Sequence, residues 1–229
     1  MKLKKINKGK LCIAFDGFGA SGKSLGSKLI AKKYNLKLLN SGLLYRYAAF
    51  LILKNEPKNK ILFLKKKFSK LNYKYLTSIN LYAEKISAYT SIIAKRKKVR
   101  LILKEYQKKF ASKFSRVAIE GRDISTKILN KNPKYDVAFF FKCNLSTAAY
   151  RRWVDLKKTN KQITLTEVKK SLKKRNELDV KRRFSPLIQS KDSIVIRTDI
   201  LNKRTMVIKM SKEIEKKLLL KYGRNYKTR

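Results

Sequence analysis

The segment Gly17-Phe18-Gly19-Ala20-Ser21-Gly22-Lys23-Ser24 constrains this chain more than any other. It satisfies the phosphate-loop pattern G-x-x-x-x-G-K-[ST] at every required position. Glycines let the backbone take positive φ and bring its N–H groups close to phosphate oxygens. In such a loop Lys23 reaches the β- and γ-phosphates and the Ser24 hydroxyl ligates Mg²⁺. The flanks agree. Leu11-Cys12-Ile13-Ala14-Phe15 is an apolar run that reads as a buried strand, and Leu25, Leu29 and Ile30 follow at helical spacing before Tyr34. Strand, loop and helix in this order place a helix N-terminus against an anion.

A chain of 229 residues holds one sizeable core with small inserted lobes. Its 60 basic and 15 acidic residues give a formal net charge of +45, a field that attracts polyanions. His is absent and Lys, Asn, Ile and Tyr are abundant, so most lysines read as compositional bias on a solvated surface; the fewer, clustered arginines carry more information. Cys12 and Cys143 form no C-x-x-C pair and have no histidine beside them, which argues against zinc and for buried free thiols in a reducing cytosol. The basic start from Met1 to Lys10 resembles the n-region of a signal peptide. The apolar run after it stops at Asp16 and Gly17, too soon for an h-region, and no segment is long and apolar enough to span a bilayer. A cytoplasmic monomer with no membrane contact and no specific nucleic-acid partner is expected.

The runs Leu11–Phe15, Leu38–Leu39, Val117–Ile119, Val137–Phe141 and Ile194–Ile196 read as strands, mostly continuous in hydrophobicity as in a parallel sheet covered on both faces. Helical patterns lie between them: one through Leu43, Leu44, Tyr47, Ala48 and Leu51, then others over about 80–94, 99–114, 145–157, 165–178 and 204–222. Thr164 and Glu167 form a capping-box start. Strands alternating with helices predict a doubly wound α/β core. The lysine-rich stretch 54–76, with Pro57 and a weak period, reads as part of an inserted lobe, and the highly charged stretch 151–183 as a mobile helical hairpin over the site.

Three further clusters narrow the chemistry. Asn40-Ser41-Gly42-Leu43-Leu44-Tyr45-Arg46 follows the second strand, where Ser41 can cap a helix carrying Tyr45 and Arg46. Glu120-Gly121-Arg122-Asp123 ends the third strand, and ligands of open α/β sheets sit at the carboxyl ends of strands. There Arg122 can fork onto a phosphate, and Glu120 or Asp123 can hold water around Mg²⁺ or accept from a base. The third cluster runs from Arg175 through Asp179 and Arg182 to Ser185-Pro186. No guanine-reading N-K-x-D stands at a suitable place.

In this order and spacing, the phosphate loop, Ser-Gly-x-x-Tyr-Arg, Glu-Gly-Arg-Asp-Ile and Arg-x-x-x-Asp-x-x-Arg with Ser-Pro-Leu resemble bacterial cytidylate kinases, a nucleoside monophosphate kinase family, over nearly the whole chain. The resemblance implies a P-loop NTPase-type parallel sheet flanked by helices, with core 1–53, 96–150 and 184–229, a monophosphate-binding insert 54–95 and a helical lid 151–183. It implies transfer of the γ-phosphoryl of ATP to CMP or dCMP, with ATP and Mg²⁺ required. It further implies that Gly17 to Ser24 hold the donor, that Ser24 and, through water, Glu120 hold the metal, and that Ser41, Tyr45, Arg46 and Arg122 hold the acceptor phosphate. Asp123 and Ser91 fall at the cytosine edge, Arg100 reads the base, Arg175 and Asp179 lie near the ribose, and Arg182 belongs to the pyrimidine site. Lys23, Arg122, Arg151 and Arg152 are the implied catalytic cations, the last two from the lid. Asn40 stands where the family usually has an acid, Phe18 where it commonly has proline, and Arg197-Thr198 where it often has Asp-Thr or Asp-Ser. Other readings are a kinase of UMP or AMP and a non-catalytic basic RNA- or ribosome-associated P-loop protein.

Overall fold

A computed structural model describes residues 9–158 and 161–223. Residues 1–8, 159–160 and 224–229, including most of the basic start and the outer ends of the expected core, lie outside the described residues. Five strands form one sheet: β1 (Leu11–Gly17), β2 (Lys37–Asn40), β3 (Arg116–Glu120), β4 (Val137–Lys142) and β5 (Ile194–Arg197). The order is β2-β3-β1-β4-β5 and every pairing is parallel, with Phe15 opposite Glu120 and Gly17 opposite Phe141. All five β3 residues are buried, as are five of the six in β4, which explains their continuous apolar runs.

Among the described residues eight α-helices accompany the sheet: α1 (Lys23–Lys33), α2 (Ser41–Asn55), α3 (Lys60–Ser69), α4 (Glu84–Ile93), α5 (Lys97–Lys113), α6 (Leu145–Lys157), α7 (Leu165–Val180) and α8 (Lys203–Tyr222). One face buries Leu11, Ile13, Phe15, Ile30, Phe141, Met210 and Ile214 between the sheet, α1 and α8. The other buries Leu39, Leu44, Ile52, Leu103 and Ile119, and the same apolar mass takes in Leu64, Phe68, Leu76, Leu81 and Ile93 from the 54–95 stretch. That stretch is more regular than its lysine content suggests. Asn59 caps α3 by accepting from Leu62 N at 3.0 Å, and Ile61, Leu64 and Phe68 then line one face. The buried apolar cluster at helices α6 and α7 is small, made of Ala148, Ala149 and Leu172 with Ala20 of the phosphate loop against it. The capping box at Thr164 and Glu167 forms as the spacing predicts.

Two details correct the expectations. Asn40, not Ser41, caps α2: its side chain accepts from Leu43 N at 3.3 Å, and Ser41 is the first helical residue. Both cysteines are free but only half-buried. Burial, with Asp136 nearby, pushes the Cys12 thiol up to about 12, so it stays protonated.

Helix α1 sits close to the sheet because Gly26 has no side chain: a Cβ there would lie 2.7 Å from Phe141 Cζ. Gly26→Ala is expected to cost about 1–3 kcal/mol by overpacking. The check is a lower urea midpoint at unchanged m-value.

Candidate functional site

Strand β1 runs straight into the phosphate loop. Gly17 has φ 147 and Gly22 φ 74, and Ala20 also takes a positive φ of 54. At Gly17 a Cβ would stand 2.4 Å from the Phe141 carbonyl oxygen, so only glycine fits. The Ser21 hydroxyl donates to Phe18 O at 2.9 Å and the Thr198 hydroxyl to Ser21 O at 3.0 Å, pinning the loop from within and from the end of β5. Helix α1 begins directly after Gly22, so its first amides face the loop's concavity.

Carboxylates flank this loop at the ends of β1 and β3. Asp16 is buried and accepts from Ile124 N, Ser125 N and the Ser125 hydroxyl, each at 2.7 Å. It thereby ties the loop strand to the single π-helical turn Ile124–Ile128 that follows Asp123. Burial raises its pKa, and the three donors pull against that rise. Glu120 accepts from Ser24 Oγ at 3.0 Å and from Ser27 Oγ at 2.5 Å. Ser24 and Glu120 thus offer an all-oxygen donor set in contact with each other, the chemistry that suits Mg²⁺.

Cations crowd the space beyond. Lys23 is 7 % exposed, and burial, with the Arg122 charge next to it, lowers its pKa to about 8 against the pull of Glu120 and Asp16. Arg122 repels Arg175 in turn, and this charge, with burial, lowers Arg175 to about 10; Arg46 and Arg152 add to the repulsion. Asp179 bridges the group: it accepts from Arg122 Nε at 2.8 Å and from Arg182 Nη1 at 3.2 Å. Burial would raise its pKa, but the two arginines hold it below the usual carboxylate range. Arg182 also donates to Ser185 O at 3.0 and 2.6 Å.

A second buried pair lies alongside. Arg100 Nη2 meets Asp123 Oδ2 at 2.6 Å, with side chains 4 % and 8 % exposed, and the guanidinium lies 5.3 Å from the Tyr45 ring centroid. Arg100 Nε is buried with no hydrogen-bond partner. Burial pushes the Tyr45 phenol above its ordinary value. Ser41 Oγ accepts from Gln107 Nε2 at 2.6 Å, and Asn40 N donates to Tyr73 Oη at 2.7 Å. Arg46 donates to Leu81 O at 3.0 Å and Ser87 Oγ at 2.7 Å and lies 4.7 Å from the Tyr82 ring. Beside Arg182 a cleft of about 580 Å³ opens between Lys97, Lys181 and Phe184.

The structure therefore brings Lys23, Ser24, Glu120, Arg122, Arg175, Asp179 and Arg182 to one locus, with Tyr45, Arg100 and Asp123 beside it. Two of the expected residues are engaged by other groups of the protein. Arg151 is held by Thr198, donating to its Oγ1 at 3.2 Å and its carbonyl at 2.7 Å. Ser91 is exposed on α4, and its hydroxyl folds back on Ala88 O at 2.7 Å; Ser87, one turn earlier, is the serine that meets Arg46. Arg152 is exposed, with its charge felt at Arg46 and Arg175. Sequence reasoning gave no role to Asp16, Ser27, Gln107 and Asn176, and named Thr198 only as a family position. Asn176 Oδ1 accepts from Gly19 N at 3.1 Å, fastening α7 to the phosphate loop. Asp16 alone had a visible signal: a carboxylate closing a buried strand.

Comparison with known proteins identifies the family. The family model described as cytidylate kinase matches residues 13–216. A cytidylate kinase of Bartonella tribocorum is 32% identical over 196 residues, covering 83% of this chain and 87% of that protein. A bifunctional pantoate ligase/cytidylate kinase of Prochlorococcus marinus (strain MIT 9301) is 35% identical over 204 residues, 82% of this chain and 39% of that longer protein. A crystal structure of an uncharacterized protein from Eubacterium ventriosum superposes with a TM-score of 0.54 at 16% identity, covering 90% of this chain and 99% of that one; this likeness concerns the fold.

Proposed function

The chain belongs to the cytidylate kinase family, and on that premise we propose that it transfers the γ-phosphoryl group of ATP to the phosphate of CMP or dCMP, giving ADP and the cytosine nucleoside diphosphate. The observation that carries the reading is the gathering of Lys23, Arg122 and Arg175 beside the phosphate loop: burial, and after it the Arg122 charge, lowers Lys23, while the Arg122 charge, and after it burial, lowers Arg175. Such mutual repulsion is relieved by a polyanion, and phosphoryl transfer needs cations where charge spreads over the transferring group.

The residues divide by chemistry. The loop from Gly17 to Ser24 would cradle the donor phosphates, with Lys23 on the outer ones. Arg122, Arg46, Tyr45 and Ser41 would take the acceptor phosphate, and Asp179 would hold Arg122 in register, with Arg175 and Arg182 beside the ribose and base. Arg100, whose Nε has no partner in the fold, and Asp123 would face the cytosine edge. Mg²⁺ would be held by Ser24 and, through water, Glu120, and would supply neutralisation of the phosphates. The acceptor phosphate is ionised near neutral pH, so no general base is required and a chain without histidine suffices. Arg152, and Arg151 once released from Thr198, would close over the phosphates and exclude water. We assign the core to 1–53, 96–150 and 184–229, the acceptor-binding insert to 54–95 and the lid to 151–183. Among the described residues no helix is long and apolar enough to cross a membrane.

The test is a coupled assay of the purified protein with ATP and Mg²⁺ against CMP, dCMP, UMP and AMP. Turnover confined to the cytosine nucleotides is expected. Turnover of UMP or AMP in preference overturns the acceptor assignment, and no nucleotide uptake in calorimetry overturns the kinase reading.

A further inference from the structure

We propose that Gln107 is a positioning residue that sets which way the Ser41 hydroxyl proton points, and so acts on acceptor affinity without touching the acceptor. The proposal rests on Ser41 being a ligand of the acceptor phosphate. Helix α5 packs an apolar face of Val99, Ile102, Leu103 and Ala111 against the core, and two polar residues interrupt it, Arg100 and Gln107, seven residues and two turns apart. Arg100 answers to Asp123. Gln107 answers to Ser41, 66 residues away: Nε2 lies 2.6 Å from Ser41 Oγ, with the residues 2 % and 4 % exposed.

A buried carboxamide among apolar side chains costs stability unless it is hydrogen-bonded, so this contact is a committed one. A hydroxyl has one proton and two lone pairs. When Gln107 donates to one lone pair, the Ser41 proton must leave in another direction and is available to an anion. The same oxygen lies against the turn that carries Arg122: a Cβ on Gly121 would stand 3.2 Å from it. Gln107 therefore orients a donor one residue away from the arginine assigned to the acceptor phosphate.

Gln107→Glu tests this because it keeps the shape and reverses the polarity. At pH 8 the carboxylate accepts the Ser41 proton and turns it from the acceptor. The expected result is a KM for CMP raised about tenfold or more, the scale of one lost hydrogen bond to a charged group, with kcat and the KM for ATP little changed. Gln107→Met removes the donor but leaves the hydroxyl free to turn, and about a threefold rise is expected. Both rises should vanish in a Ser41→Ala background, whose own KM for CMP is already high. If Gln107→Glu does not fold, by its urea transition, the Met variant and its Ser41→Ala cycle decide alone. Equal rises for Glu and Met, a fall in kcat instead, or rises that persist without Ser41 would make Gln107 a packing residue and overturn the proposal. A Ser41→Ala variant with unchanged KM overturns the Ser41 assignment as well; one with a raised KM beside silent Gln107 variants overturns this proposal only.

Discussion

Lys23→Met is expected to lower kcat about a thousandfold or more, the scale of losing a preorganised charge at a developing anion, while making the nucleotide-free protein harder to unfold. Both effects have one cause. Burial and Arg122 together lower Lys23 to about 8 from an ordinary value of 10.5. Its charge is thus held in the folded protein at a cost of a few kcal/mol, on the order of 1.4 kcal/mol per pKa unit. The sign follows from proton counts. Between about pH 8 and 10.5 the unfolded chain binds more proton than the folded one, so this residue's contribution to stability rises with pH across that window. Below pH 8 the penalty is complete. Urea unfolding should show the Met variant ahead of the parent by about 1–3 kcal/mol at pH 7, with the gap closing toward pH 10.5. A Met variant less stable than the parent at pH 7 would contradict the electrostatic account. ATP affinity should move the opposite way, weakening as pH climbs above 8, because the lysine must take up a proton to bind.

Asp123→Ala is expected to cost about 3–5 kcal/mol of folding stability, because it strands the Arg100 guanidinium in the interior without its carboxylate. The pair is short, 2.6 Å, and nearly inaccessible on both sides. Replacing both partners by apolar residues of similar size, Arg100→Met with Asp123→Leu, should recover most of that loss, since a desolvated ion pair contributes little over good packing. Cytosine recognition should not recover. A double variant with parental stability and a KM for CMP raised at least tenfold, the scale of a lost charged hydrogen bond, separates the two roles. Unimpaired CMP use by the double variant would remove Arg100 and Asp123 from the acceptor site.

Much of the fold was legible because its signals are local. Strand, loop and helix over residues 11–33 follow one another in sequence, as do the capping box at Thr164 and the apolar runs of β3 and β4. Helix α3 was hidden although its cap, Asn59, and its face of Ile61, Leu64 and Phe68 are regular; six lysines over 54–67 mask the period. The site was legible as a set of residues but not as a set of contacts. Ser41 with Gln107, Gly19 with Asn176 and Arg151 with Thr198 are separated by 66, 157 and 47 residues, and neither propensity nor periodicity specifies such pairings. The contact of Ser87 with Arg46 was hidden for the same reason: spacing along α4 places Ser87 and Ser91 on one face, and only packing decides which of them Arg46 reaches.

The apolar mass that joins Leu64, Phe68, Leu76, Leu81 and Ile93 to Leu39 and Ile119 governs how this enzyme can breathe. Swinging that flank outward as a block would wet five large side chains at once, about 10 kcal/mol at the usual value per side chain. The buried apolar cluster of the α6–α7 flank holds two alanines and a leucine, and polar contacts such as Asn176 with Gly19 and Asp179 with Arg122 add to it, so the same excursion there wets far less apolar surface. On the proposed assignment of lid and insert, the larger excursion is expected of α6–α7 and only small slides of the 54–95 flank.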